Sequence, residues 1–167
     1  MNIDLTNVNG ARVEDLPEPA WPRHEIIDGS LHVTPMAGVP HQVVVSRLAV
    51  ALTRIVPPEF EVVMGINVFR RQETDRLLIP DVAVIDRLAA ETPGVSIHPE
   101  ELYLAVEVIS PSSRATDLHL KRQLYAEWGV GSYWVLDPVT REVHEFGLRE
   151  SAASWLADVD LTGIWPA

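Results

Sequence analysis

A chain of 167 residues, 47% apolar and 22% charged, has the size and composition of one packed domain and is neither disordered nor fibrous. With no cysteine, it cannot use disulfides, thiolate metal sites or cysteine nucleophiles, which suits a reducing cytoplasm. Its net charge of −11 argues against a generally basic surface of the kind that neutralises nucleic-acid phosphates, while leaving room for a local basic strip such as Arg70-Arg71 with Arg76, or Arg114 with Lys121-Arg122.

The amino-terminal residues carry Asp4, Glu14, Asp15 and Glu18 and no basic segment followed by an apolar core, so no signal peptide is expected. No apolar run approaches the roughly 20 residues that span a bilayer. These features predict a soluble, cytoplasmic protein. Residues 1–23, with Pro17, Pro19 and Pro22 among acids and small residues, read as an extended arm of the type that lies over a neighbour, and 24–167 as a single domain. Asp28-Gly29 between two short apolar alternations predicts a hairpin. From His41 to Ile55 the positions Val44, Val45, Leu48, Ala49, Leu52 and Ile55 recur at helical spacing, and Pro57-Pro58 stops the helix.

Residues 60–69 are β-rich, and a charged loop over 70–77 leads to a strand that includes Asp81. A polar connection with Pro93, Gly94 and Pro99 precedes a second acid-bearing strand over 102–109. The Ser110-Pro111-Ser112-Ser113 run breaks that strand and offers hydroxyls to cap a helix over 115–128, which Gly129 closes. Residues 132–138 form another strand, with 143–146 returning beside it across a turn at 137–140. The order predicts an α/β fold, a mixed sheet flanked by helices, with acids near strand ends facing a ligand crevice.

Asp81 and Glu107 are the informative residues, each a carboxylate set among strand-forming apolar side chains, where an ionised acid needs a compensating partner. Two such acids on neighbouring strands suit a hard divalent cation such as Mg²⁺, which can orient a water nucleophile and neutralise phosphate charge. On the following helix Asp117, Lys121 and Tyr125 recur every four residues on one face, so Lys121 can approach the two acids and hold a water or stabilise a phosphate transition state.

Taken together, Pro80-Asp81, then Val106-Glu107-Val108-Ile109-Ser110-Pro111-Ser112-Ser113, then Asp117, Lys121, Tyr125 and Gly129-Val130, then Tyr133-Trp134-Val135-Leu136-Asp137-Pro138 resemble the Uma-two family of the PD-(D/E)XK restriction-endonuclease-like superfamily. The Glu25-Ile26-Ile27-Asp28-Gly29 hairpin and His41 extend the resemblance over 24–138. It implies a restriction-endonuclease-like fold and a metal-dependent endonuclease acting on nucleic acid, DNA above all. Asp81 and Glu107 would be the Mg²⁺ or Mn²⁺ ligands, and paired active sites would form in a homodimer. Ile109 stands where the superfamily usually has a lysine, and Lys121 takes the role. The predicted helix over 41–55 carries no acid, which leaves Glu25 or His41 to substitute for the superfamily's helix glutamate.

Each residue also has a plainer reading. Asp81 can open a strand, Glu107 can pair with a buried base, and Asp117 with Lys121 reads in isolation as a surface ion pair. His24, His98 and His144 read as surface residues; His32 and His41 are possible ligands but lack zinc spacing. Tyr125, Trp128, Tyr133 and Trp134 fit core packing better than a base-stacking platform. Two other classes stay open: a nuclease fold kept as an inactive interaction module, and a sugar-cleaving pair of carboxylates, in which Lys121 has no role.

Overall fold

The computed structural model describes residues 23–34, 37–110, 113–148 and 154–166. The expected arm falls almost wholly outside them. Its last residue, Arg23, opens β1 (Arg23–Ile27), which pairs with β2 (Ser30–Thr34) as an antiparallel hairpin. Asp28 and Gly29 adopt φ of 48° and 76°, the left-handed pair that a two-residue hairpin turn requires and that Asp-Gly tolerates.

Helix α1 (Val39–Thr53) starts two residues before the sequence suggests, because Pro40 fits the first turn, where its missing N–H costs nothing. Strands β3 (Phe60–Met64), β5 (Val82–Asp86), β7 (Leu102–Val108), β8 (Ser132–Asp137) and β9 (Glu142–Gly147) form the main sheet in that order. Within this sheet only the β7/β8 pair is parallel. The connection between these two is a π-helical turn, Thr116–Lys121, continuing into α3 (Arg122–Glu127).

Several segments differ from expectation. The β-rich stretch 60–69 divides, and β4 (Asn67–Val68) pairs in parallel with β6 (Ser96–Ile97) as a separate ribbon. The polar connection after Asp86 contains α2 (Arg87–Glu91), capped by the Asp86 carboxylate accepting the Leu88 N–H, and a 3₁₀ turn at Pro99–Glu101. Asp81 lies immediately before β5 rather than within it. The Ser113 hydroxyl, expected at a cap, turns back to accept the Ser110 N–H.

Alternation along the strands sorts the core into two layers. Val82 and Val84, Leu104 and Val106, and Trp134 and Leu136 pack with Leu48 and Leu52 of α1 and with Ile164. On the opposite face Ala83 and Ile85, Ala105 and Ile109, and Tyr133 and Val135 pack with Leu124, Tyr125 and Trp128 of α3. The four aromatic residues from 125 to 134 are therefore core, as the sequence predicts, and are not available for base stacking. Glu107 occupies the β7 position between Ala105 and Ile109 in the α3-side row, an acid in an apolar file.

The hairpin stands outside the main sheet. Ile26 exchanges backbone hydrogen bonds of 2.8 Å with Leu77, and the Gly29 N–H donates to Asp75 O at 2.9 Å. These contacts lay β1 against the segment that leads to Asp81. No helix among the described residues is long and apolar enough to cross a membrane.

Candidate functional site

Five segments converge where β1, the Pro80-Asp81 approach to β5, the end of β7, the π turn and the start of α1 meet. Asp81, Glu107 and Lys121, named from the sequence, are brought together there and buried, with exposures of 4%, 3% and 4%. Lys121 Nζ lies 3.0 Å from Glu107 Oε1, 2.8 Å from Glu25 Oε2 and 3.5 Å from Asp117 Oδ1. The Tyr125 hydroxyl reaches the same Glu107 oxygen at 3.5 Å.

Both open candidates, Glu25 and His41, are in the site and do different work. Glu25 accepts the Ile79 N–H on Oε1 at 2.8 Å while its other oxygen holds Lys121, so it ties the hairpin to the approach to Asp81 and to the lysine. His41 Nε2 donates to Asp81 Oδ2 at 3.1 Å. The same oxygen accepts the Val108 N–H at 2.8 Å, and Oδ1 takes Arg23 Nη1 at 2.6 Å. Arg23 was missed in the sequence because it borders the proline-rich arm; yet residues two apart on a strand share a face, so the Glu25 prediction carries Arg23 with it.

Asp117 and Lys121 are a buried pair, not the surface pair their spacing suggests in isolation. Hydrogen bonding from i to i+5 widens the turn that carries both, a departure often found at functional sites. Tyr133 on β8 donates to the Asp117 carbonyl at 2.8 Å and braces this turn. Tyr133→Phe is expected to lower stability by about 1 kcal/mol with the core volume kept. An unchanged urea midpoint would show that the brace contributes nothing.

Electrostatics separate the two key acids. Burial pushes the Asp81 carboxyl up, but the His41 hydrogen bond, the Arg23 and His41 charges and the Val108 N–H outweigh it and hold the pKa down at about 2. Glu107 goes the other way: burial pushes it well above the usual carboxylate range, Lys121 opposes this, and Asp81, Asp117 and Glu25 add to it. Burial also raises Asp117. Burial favours a neutral Lys121, yet Glu107, Glu25 and Asp117 overcome it and raise its pKa, keeping the ammonium charged at neutral pH.

The donor set fits a hard divalent cation. Glu25, Asp81, Glu107 and Asp117 face two permanent cations, Arg23 and Lys121, so acid exceeds base and all the free oxygens are hard. Among the described residues no three His, Asp or Glu side chains form a ready metal cage. Mg²⁺ does not need one, since it commonly binds through one or two carboxylates plus water and substrate phosphate.

Other sequence readings change. His24, expected at the surface, is 2% exposed, and neither ring nitrogen has a hydrogen-bond partner. The proposed basic strips are largely neutralised: Arg70 pairs with Glu73 and Glu100, Arg76 with Asp28 and Glu127, and Arg114 with Asp137. Arg122 lies over the Phe146 ring, 4.2 Å from its centroid.

The mixed sheet flanked by helices on both faces is an α/β fold. It is similar to a crystal structure described as a putative nuclease belonging to DUF820 from Anabaena variabilis ATCC 29413, with a TM-score of 0.66 over 83% of this chain and 78% of that chain at 18% identity. The chain belongs to the Uma2 family, described as "putative restriction endonuclease", whose model matches residues 11–160. No curated protein matches it.

Proposed function

We propose that the protein is a Mg²⁺-dependent endonuclease, with Mn²⁺ as an alternative, that hydrolyses nucleic-acid phosphodiester bonds and acts on DNA in the first instance. The observation that carries this reading is the meeting of Asp81, Glu107 and Lys121, supplied by three separate elements, in one buried cluster with excess acid. Asp81 and Glu107 would hold the metal. When bound, the ion would lower the pKa of a water and offset charge on the phosphate. Lys121 stays protonated among its carboxylates, so it serves as a donor that orients the water and stabilises developing negative charge, not as a base. Glu25 and Asp117 position that ammonium; His41 and the Val108 N–H fix the Asp81 carboxylate.

Residues 24–167 are read as one domain. A homodimer pairing two sites would cut both strands, with the proline-rich residues ahead of β1 available for exchange, and the cysteine-free composition suits the cytoplasm. The full engagement of Arg70, Arg76 and Arg114 favours a second reading, an inactive nuclease-fold interaction module, because it leaves little free basic surface for DNA.

Titration of Mg²⁺ and Mn²⁺ into wild type, Asp81→Asn and Glu107→Gln separates the two. The nuclease reading expects binding only in wild type, tightening as pH rises because Glu107 must release its proton. Cleavage of duplex DNA should fall at least about 100-fold in Glu107→Ala. Unchanged cleavage, in preparations free of contaminating nuclease, would overturn the assignment. Absence of metal binding, both alone and with DNA present, would favour the inactive module.

A further inference from the structure

We infer that Arg23 is a displaceable counter-ion: it holds Asp81 until a divalent cation arrives, then transfers its guanidinium to a phosphate of the incoming nucleic acid. The inference rests on the reading of Asp81 and Glu107 as a cation site and adds a residue and a role to it. The two oxygens of Asp81 are held differently. Oδ2 is fixed by the Val108 N–H at 2.8 Å, part of the sheet backbone, and by His41 at 3.1 Å. Among the described residues Oδ1 is held by Arg23 alone, at 2.6 Å. A cation bound to Asp81 therefore takes the oxygen that Arg23 occupies, since freeing Oδ2 would break a backbone hydrogen bond at the end of β7.

Arg23 is also the member of the cluster best placed to move. Its side chain is 31% exposed, against 11% for His41 and 5% or less for Glu25, Asp81, Glu107, Asp117 and Lys121. Its remaining side-chain hydrogen bond among the described residues is one of 3.2 Å to the Ile79 carbonyl. Beside it stands Gly65, where an added Cβ would lie 3.9 Å from Arg23 Nη2, so the guanidinium has a smooth backbone wall along one side. Lys121, by contrast, is enclosed by three carboxylates and only 5% exposed. A guanidinium released at this mouth meets whatever anion enters. Its planar fork matches a phosphate with two parallel N–H donors.

The test is calorimetric titration of Mn²⁺ into wild type, Arg23→Gln and Arg23→Lys. It is joined to anisotropy of a labelled, hydrolysis-resistant phosphorothioate DNA duplex, with and without Mn²⁺. Removing a competing charge should tighten Mn²⁺ binding on the order of tenfold in Arg23→Gln. The gain in duplex affinity that Mn²⁺ gives wild type should disappear in Arg23→Gln and persist in part in Arg23→Lys. If Arg23 only steadies Asp81, Arg23→Gln will bind Mn²⁺ no better than wild type, and the inference fails while the metal site stands. Should Arg23→Gln not fold, Arg23→Lys decides alone: with a less well-matched partner for Oδ1 it must still bind Mn²⁺ more tightly than wild type. If neither wild type nor any Arg23 variant binds Mn²⁺, the carboxylate-pair reading and this inference fall together.

Discussion

Without added metal, Glu107→Gln is expected to melt above wild type at pH 8 and close to it at pH 5, while Asp81→Asn melts below wild type at both. The opposite signs follow from the opposite shifts of the two acids. Glu107 in the folded protein keeps its proton far above the ordinary 4.5, so the wild-type fold is favoured below that value and loses stability as pH rises toward the raised pKa. Glutamine does not titrate, so the variant escapes that loss, and Lys121 retains Glu25 and Asp117 as partners. Asp81 is the reverse case. Its pKa falls from 3.8 to about 2 on folding, so it adds stability above pH 3.8 that is lost as pH drops through 2. That contribution is about 2 kcal/mol. Asparagine forfeits it and leaves Arg23 facing a neutral group. Thermal melts at the two pH values in EDTA read both effects. A Glu107→Gln protein less stable than wild type at pH 8 would mean that the Lys121–Glu107 pair outweighs repulsion among the acids. On the expected result the acid most costly to the fold is one the site needs, a trade-off common where function uses buried charge.

Lys121→Met should be the most damaging single substitution in the site. It removes the ammonium from Glu25, Glu107 and Asp117 in one step and leaves three buried carboxylates without a counter-ion. Stripping one partner from a buried ion pair costs roughly 3–5 kcal/mol, a large share of the 5–15 kcal/mol that holds an ordinary domain together. The sign of its pH dependence is fixed. Without Lys121 the carboxylates hold their protons to higher pH in the folded state, so the variant's stability is present in acid and lost as pH rises. Urea unfolding from pH 5 to 8 should show the deficit widening upward. A flat difference would indicate that the three acids share protons or find other partners. Lys121→Arg would keep the charge and recover part of the loss, but its larger head does not fit between groups at 2.8 and 3.0 Å without movement.

How far the site was readable depended on whether each residue broke a local pattern. Glu107 stood out because a charge in an apolar strand is anomalous, and Asp81 because Pro-Asp introduces an apolar run. The hairpin was legible from Asp28-Gly29, whose backbone angles few other pairs accept. Helical spacing offered Lys121, but choosing it over a surface pair needed the family resemblance, since a lysine four residues after an aspartate looks the same on a solvated helix as in this cluster. Burial of that pair comes from the hairpin closing over it and from Tyr125 and Tyr133 beneath, which no local pattern reports. The π turn has no sequence signature at all. Helix α2 is only five residues long, too short to display a period. Arg23 and His24 were misplaced together because the proline-rich composition before them hid the first residues of β1.

The parallel join of β7 to β8 carries a consequence for the order of assembly. Residues 102–137 make a self-contained strand, crossover and strand, so Glu107, Asp117 and Lys121 can meet through contacts close in sequence. Glu25 and Arg23 arrive on a hairpin from the far end of the chain, through contacts of much greater loop-closure cost. The crossover unit should therefore gain hydrogen-exchange protection first and the hairpin last. A late-docking, separately paired hairpin is also the segment expected to open first, by local unfolding well below the global free energy. The charges that complete the cluster would then be the ones whose arrival and departure mark a finished fold.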